Sequence, residues 1–362
     1  MKVGKMKTKA LSVPLERPFT GQRQQPRERI NPVIIQLTTE EGLEAFGVAF
    51  AWNDRQVKSL KASIEDLEDV IIGQDVFCWA EAWHKLYNAT RHMGHHGYGI
   101  YALAAIDTAL WVLRAKALEM PLGRLLGGFR ERVPAYASHL LFRNWSLDEL
   151  QRDAAALVEQ GFKVVKMNMG DKPLKVELER LKAVRDVVGD DIDIMIDANW
   201  AWSVTDTIKI GRQIEQYNVY WLEDPLASED PDQLAQVAAA LDVPIADGET
   251  FCTKYEFRRL IEKRAADILI VDLQRAGGIT EWINIATIAQ GWNLPVASHL
   301  FHDFSVHLIA AIPNGLILEY MPWYDQIYQE PPRVKDGYMA VPDAPGLGLE
   351  LDPDAIKKYE LK

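Results

Sequence analysis

The chain has 362 residues, 48% of them hydrophobic and 25% charged, a globular composition long enough to bury a large core. Its 40 basic and 52 acidic residues leave a net charge of −12, which argues against a nucleic-acid or anionic-membrane binder, because either needs a basic field. Two cysteines, Cys78 and Cys252, form no CxxC or Cys/His spacing, so no disulfide framework or structural zinc site is expected, and a reducing, cytoplasmic setting is. The N-terminus shows no apolar core of a secretory signal, and no apolar run reaches the roughly 18 residues of a membrane span.

In chain order, residues 1–50 read as strands. Pro32–Thr38 and Glu44–Phe50 are β-rich and joined by the turn-like Thr39-Glu40-Glu41-Gly42. Before them, Arg17–Asn31 reads as a polar loop carrying Arg23, Arg27 and Arg29. From Asp54 to about Leu126 the pattern is helical. It is clearest over Tyr98–Leu118, where Leu103, Ile106, Leu110 and Leu113 recur at steps of three and four. Pro121 and Gly127-Gly128 are stop signals.

After Arg132, short β-rich runs alternate with helical stretches. The runs are Val133–Leu140, Lys163–Asn168, Ile192–Asp197, Val219–Glu223, Val243–Glu249, Ile268–Asp272, Leu294–His299 and Leu316–Glu319. Eight strands with seven helical connections predict an α/β fold with a parallel TIM-type barrel. The two ends of the chain are left to build a second, α+β unit. The expected division is 1–128 for that unit, 129–321 for the barrel, and 322–362 for a Pro-rich tail returning to the first unit.

In such a barrel the C-terminal strand ends converge on one face, where catalysis sits. Asp197, Glu223 and Glu249 lie at three successive strand ends, each 26 residues from the next. That spacing is one βα repeat, so the three carboxylates should share one pocket. Clustered carboxylates raise one another's pKa unless a cation neutralises them. A hard divalent ion, Mg2+, is the expected cofactor. The next strands end in Asp272 and His299. Asp272 can hold one ring nitrogen of His299 and leave the other as a base. Glu319 ends the eighth strand and is read as a carboxyl that, if protonated, donates to a substrate carboxylate. On the second strand, Lys166 and Asn168 share a face; Lys166 can stabilise developing negative charge, whereas Asn168 cannot take a proton.

These residues carry a resemblance that spans essentially the whole chain. The stretches are Tyr101–Gly128, IDAN (196–199), LEDP (222–225), DGE (247–249), VDLQRAGGIT (271–280) and the segment 297–319. The chain resembles the mandelate racemase subgroup of the enolase superfamily. The resemblance implies a capping domain on a modified (β/α)7β barrel. It implies Mg2+ on Asp197, Glu223 and Glu249, a His299–Asp272 dyad that removes the proton next to a carboxylate, and Glu319 at the carboxylate or enolate. It also implies closure of the barrel mouth by cap loops. Arg17–Asn31 is the first such loop and Phe50–Asn53, with Trp52, the second.

One departure matters. Racemases of the subgroup resemble one another in a Lys-x-Lys whose second lysine is the opposite-face base; here the sequence is Lys166-Met167-Asn168. Racemisation is therefore disfavoured, whereas one-base syn elimination is not. The expected function is dehydration of a sugar acid through an enediolate to a 2-keto-3-deoxy acid, with a racemase or epimerase as the alternative. A cycloisomerase fits less well, because such relatives use a lysine base. A metal-dependent barrel hydrolase usually needs an HxH where only His139 stands.

Substrate contacts are expected from Asn168, Asn199, His302, Arg23 and Trp52, with His139 and Arg143 weighed beside them. Trp200, Trp202 and Trp221 read as packing. His92, His95 and His96 resemble a metal tract by composition but lack acid partners in sequence, and read as a loop near the domain interface. The expected partners are a small carboxylic acid and other copies of the chain as a homo-oligomer, with no nucleic acid and no membrane.

Overall fold

The computed structural model describes residues 1–20, 26–227 and 230–361. Four strands open the chain: β1 (Val3–Ala10), β2 (Val13–Thr20), β3 (Pro26–Thr39) and β4 (Glu44–Ala51). The long β3 is the hub of this antiparallel sheet. β2 pairs with its first half, β1 with its second, and β4 runs beside it from Asn31 to Thr38. Ile30, Val33, Ile35 and Leu37 of β3 are buried.

The reading of Arg17–Asn31 as a loop is corrected here, because Arg17–Thr20 belongs to β2 and Pro26–Asn31 to β3. Backbone pairing such as Val13↔Ile30 and Phe19↔Arg27 fixes these segments. Their polar side chains mask the alternation that marks a half-buried strand. Arg23 lies outside the described residues.

The helix Tyr98–Ala117 joins the sheet to the barrel. It can approach β4 closely because Gly47 has no side chain; a Cβ there would lie 2.4 Å from the Ala105 carbonyl oxygen. On the barrel side, buried Asp107 accepts hydrogen bonds from the Thr280 backbone N–H at 2.9 Å and hydroxyl at 2.7 Å. Leu103, Ile106, Leu110 and Leu113, the predicted apolar stripe, are at most 1% exposed.

Eight parallel strands follow: β5 (Arg132–Ala137), β6 (Val164–Asn168), β7 (Asp193–Asp197), β8 (Val219–Glu223), β9 (Ile245–Asp247), β10 (Ile268–Asp272), β11 (Val296–His299) and β12 (Gly315–Tyr320). Each connection carries at least one helix, and pairing of β12 with β5 closes the barrel. Its interior is a packed layer around Tyr136, Met195, Trp221, Ile270 and Ile317, so the open space lies at the strand ends. Beyond β12 the chain forms a hairpin, β13 (Val334–Lys335) and β14 (Tyr338–Ala340), and β14 pairs antiparallel with β5. The last residues reach the N-terminal sheet, where Leu361 N–H donates to the Ala10 carbonyl at 2.8 Å. No helix among the described residues is long and apolar enough to cross a membrane.

Candidate active site

Strand register places the functional side chains. Asn168 pairs with Asp197 across β6 and β7, and Asp197 with Glu223 across β7 and β8. Asp272 pairs with His299 across β10 and β11. Glu249 stands two residues beyond β9, after Gly248 at φ +128°. A Cβ on Gly248 would meet the Ile270 carbonyl oxygen and the Phe257 ring at 2.8 Å, so this turn requires glycine. The equal sequence spacing thus compensates for a short β9. Asn199, Trp200, Asp224, Leu300 and Phe301, all just past strand ends, have left-handed backbones. Such conformations cost on the order of 1–3 kcal/mol and cluster at functional sites.

Asp197, Glu223 and Glu249 are each no more than 7% exposed. Burial pushes Glu223 up to about 8 and raises Asp197 as well. Burial would also raise Glu249, but His299 and Arg275 hold it below the usual range. Lys166 Nζ lies 2.7 Å from Glu223 Oε1, 2.9 Å from Glu319 Oε1 and 3.8 Å from Asp197 Oδ2. Glu223 Oε2 accepts from the Trp221 indole at 3.0 Å, and Asn168 Nδ2 donates to Asp197 Oδ2 at 3.0 Å. Asp197 Oδ1 is buried without a hydrogen-bond partner. Among the described residues, five carboxylates, Asp272 and Glu319 included, contact only Lys166 and Arg275 as permanent cations, with His299 between them. A hard divalent cation fits this all-oxygen donor set, its orphaned oxygen and its excess of negative charge.

His299 Nδ1 lies 2.6 Å from Asp272 Oδ2, and its Nε2 lies 3.2 Å from Glu249 Oε2. Burial opposes a charge on the ring, but Glu249 and Asp272 hold its pKa at about 9. Asp272 Oδ1 accepts the Arg275 N–H at 2.6 Å, so the dyad is anchored at a helix start. Glu319 departs from the protonated state read from sequence. Its Oε2 accepts the Leu300 N–H at 2.6 Å and its Oε1 meets Lys166. Burial would raise its pKa, but Lys166 and His299 hold it down at about 2. It is a charged acceptor that anchors Lys166.

A cavity of about 690 Å³ opens over these groups, lined also by Arg27, Trp52, Arg143, Asn199 and Trp323. Asn168 and Trp52 line it as well. The segment Phe50–Asn53 is fastened to the barrel: Phe50 N–H donates to Gln274 Oε1 at 2.7 Å, and Trp52 packs edge-on against Trp323. Arg29 faces Ser12 at 2.7 Å instead of the cavity.

His302 does not reach the cavity, which corrects its reading as a substrate contact. The left-handed turn at Leu300 and Phe301 sends it into the interior, fully buried and 3.0 Å from Asp325. His139 likewise packs against Tyr320 and Phe162 away from the cavity lining. Trp200, read as packing, is 40% exposed and lines the cavity. Sequence reading missed Arg275, which donates to Glu249 Oε1 at 3.0 Å; Trp221, read as packing, is fully buried and also donates its indole N–H to Glu223. The parity of Trp221 and Glu223 on one strand was the available signal.

Residues 6–127 match the mandelate racemase/muconate lactonizing enzyme N-terminal domain, and residues 149–355 match the enolase C-terminal domain-like model. The chain is 33% identical to L-talarate/galactarate dehydratase of Salmonella typhimurium, over 95% of this chain and 86% of that one. It is 31% identical to arabinonate dehydratase of Saccharolobus solfataricus, over 91% of each. Among solved structures, L-talarate dehydratase from Polaromonas sp. complexed with Mg and L-glucarate superposes with a TM-score of 0.94 at 31% identity, covering 100% of this chain and 98% of that one. Matched in both its cap and its barrel, the chain belongs to the mandelate racemase/muconate lactonizing enzyme family, on an enolase-type barrel with a capping domain.

Proposed function

We propose that the chain is a Mg2+-dependent hydro-lyase that dehydrates an acid sugar to a 2-keto-3-deoxy acid. The observation that carries the reading is a single base: His299 is set by Asp272, while Asn168, in the place of a second lysine, is bound to Asp197. The dehydratase relatives and the Mg in the Polaromonas complex support the class and the metal.

Asp197, Glu223 and Glu249 would hold Mg2+, whose charge offsets the two negative charges that gather on a carboxylate losing its α-proton. His299 Nδ1 is committed to Asp272, and Mg2+ on Glu249 would offset the anion that most raises the ring's pKa, so Nε2 would be the nitrogen free to take the α-proton. Lys166, held by Glu223 and Glu319, keeps a positive charge beside the enediolate; one such donor contributes roughly 3–4 kcal/mol. His299, now protonated, returns its proton to the leaving β-hydroxyl. Elimination on one face needs no second base, whereas epimerisation at Cα needs an acid or base on each face.

The test is a panel of mono- and diacid sugars incubated with the protein and Mg2+, read by 2-keto acid formation and by NMR in D2O. A 2-keto acid from at least one compound is expected. Solvent deuterium at Cα of recovered substrate with no loss of water would overturn dehydration in favour of epimerisation. No reaction across the panel would count against the whole reading.

A further inference from the structure

We propose that His96, Cys252 and Glu256 form a second metal site, for a borderline-soft divalent cation of the Zn2+ class, at the seam between cap and barrel. One ligand atom from each lies within 4.8 Å of the others. The acid partner missing from the histidine tract in sequence is supplied by the fold. His96 comes from the cap loop before helix Tyr98–Ala117, whereas Cys252 and Glu256 flank the start of barrel helix Thr253–Glu262.

The geometry is organised around Glu256. Its Oε2 accepts the Cys252 N–H at 2.6 Å, which fixes the carboxylate, and its Oε1 lies 3.3 Å from His96 Nε2. The Cys252 side chain is buried and touched by the Gly97 N–H and, at 3.9 Å, the Thr250 carbonyl. The His96 side chain is 67% exposed, so a fourth position is open to water. His95 is differently employed, stacked on Tyr87 and 3.0 Å from its carbonyl.

Donor chemistry separates this site from the carboxylate cluster. Thiolate, imidazole and one carboxylate suit tetrahedral Zn2+, whereas Mg2+ takes oxygen ligands. Binding replaces the Cys252 S–H proton, which leaves to solvent, and exchanges the His96–Glu256 contact for two metal bonds; nothing is oxidised or reduced. Burial pushes the free thiol up to about 12, so at neutral pH it is a poor nucleophile and the metal must displace a held proton. The ion would tether the cap loop to the barrel beside Arg275, next to a small cavity lined by Gly97, Tyr98 and Gln274.

The experiment titrates the full-length protein, in excess Mg2+, with Co2+ and Cd2+ and follows the thiolate-to-metal charge-transfer absorption. The carboxylate cluster has no thiol and cannot produce that band. The band is expected to saturate at one equivalent in the wild type and in Cys78→Ser, whose thiol is the exposed one. It should vanish in Cys252→Ser. In His96→Ala and Glu256→Gln it should require at least roughly tenfold more metal. Absence of the band at one equivalent, or its loss in Cys78→Ser, overturns the proposal. An unchanged titration in both His96→Ala and Glu256→Gln also overturns it, by reducing the site to a lone thiol.

Discussion

Asn168 and Asp197 are register partners on β6 and β7, and the Asn168 amide donates to Asp197 Oδ2 at 3.0 Å. That bond occupies one carboxylate oxygen and leaves Oδ1 buried and free for a cation. The residue that stands where the family resemblance places a second base therefore acts on a carboxylate of the cluster. In the proposed reaction Asn168 would be a positioning residue.

Its replacement separates positioning from proton transfer. Asn168→Ala should weaken Mg2+ by roughly tenfold, the usual effect of losing a bond that orients a metal ligand. At saturating Mg2+ it should keep α-proton exchange. Asn168→Lys places an ammonium in the same position and is expected to introduce slow epimerisation, seen as the C2 epimer in recovered substrate. Loss of exchange in Asn168→Ala at saturating Mg2+ would place Asn168 in the proton path and refute the assignment.

Sequence made the barrel legible because its signals are local. Strand ends such as Asp197, Glu223, Asp272 and His299 follow short apolar runs at regular intervals, and parallel pairing converts those intervals into adjacency. What sequence hid depends on long-range contacts. Arg17–Thr20 and Pro26–Asn31 look like loop because their strand is fixed by backbone pairing. Arg17 itself is claimed by Asp153 and the Trp145 ring, neither of them near in sequence. His302, three residues from His299, sits one helical step away on paper, yet two left-handed residues turn it inward to Asp325. The charge state of Glu319 was equally invisible, since it is set by Lys166, six strands away along the chain.

His307 gives a pH prediction with a fixed sign. Its Nδ1 accepts the Gly123 N–H at 3.0 Å and its Nε2 faces the Leu347 carbonyl at 3.0 Å, so the fold holds one neutral tautomer. Burial lowers its pKa to about 4 from 6.5. Between those values the unfolded chain binds the proton and the folded one does not. Stability is therefore complete above about pH 6.5 and falls as pH drops towards 4, by about 3 kcal/mol at most from this residue. His307→Gln should lower the thermal midpoint at pH 7 and flatten its fall between pH 6.5 and 4. An unaltered slope would assign the acid sensitivity elsewhere.

Glu223→Gln tests the metal cluster without breaking the barrel. Glu223 is fully buried beside other carboxylates, so an amide of the same shape relieves repulsion, but it also gives up one of the two bonds accepted from Lys166 and the Trp221 indole. The variant should remain folded in the absence of metal, with these two effects opposing each other in its thermal midpoint. It should lose turnover and also lose the rise in midpoint that saturating Mg2+ gives, about 2.7 kcal/mol at a hundredfold excess over Kd. A retained Mg2+ shift would remove Glu223 from the ligand set, whatever the activity.

The dyad makes the last prediction. His299→Asn should abolish dehydration and α-proton exchange together, by roughly 10²–10⁴ or more, because both begin with the same abstraction. Asp272→Asn is subtler. An asparagine oxygen can still accept the Arg275 N–H, so the helix start should survive. Its amide would then face His299 Nδ1, which asks the ring to carry its proton on Nε2, the nitrogen that must be free to receive one. Dehydration and exchange should fall by similar factors while KM stays within a few fold, since neither residue is needed to hold the substrate's distal hydroxyls. If exchange survives His299→Asn near the wild-type rate, another group is the base. If Asp272→Asn instead raises KM and spares kcat, Asp272 is a binding residue and His299 is oriented by Glu249.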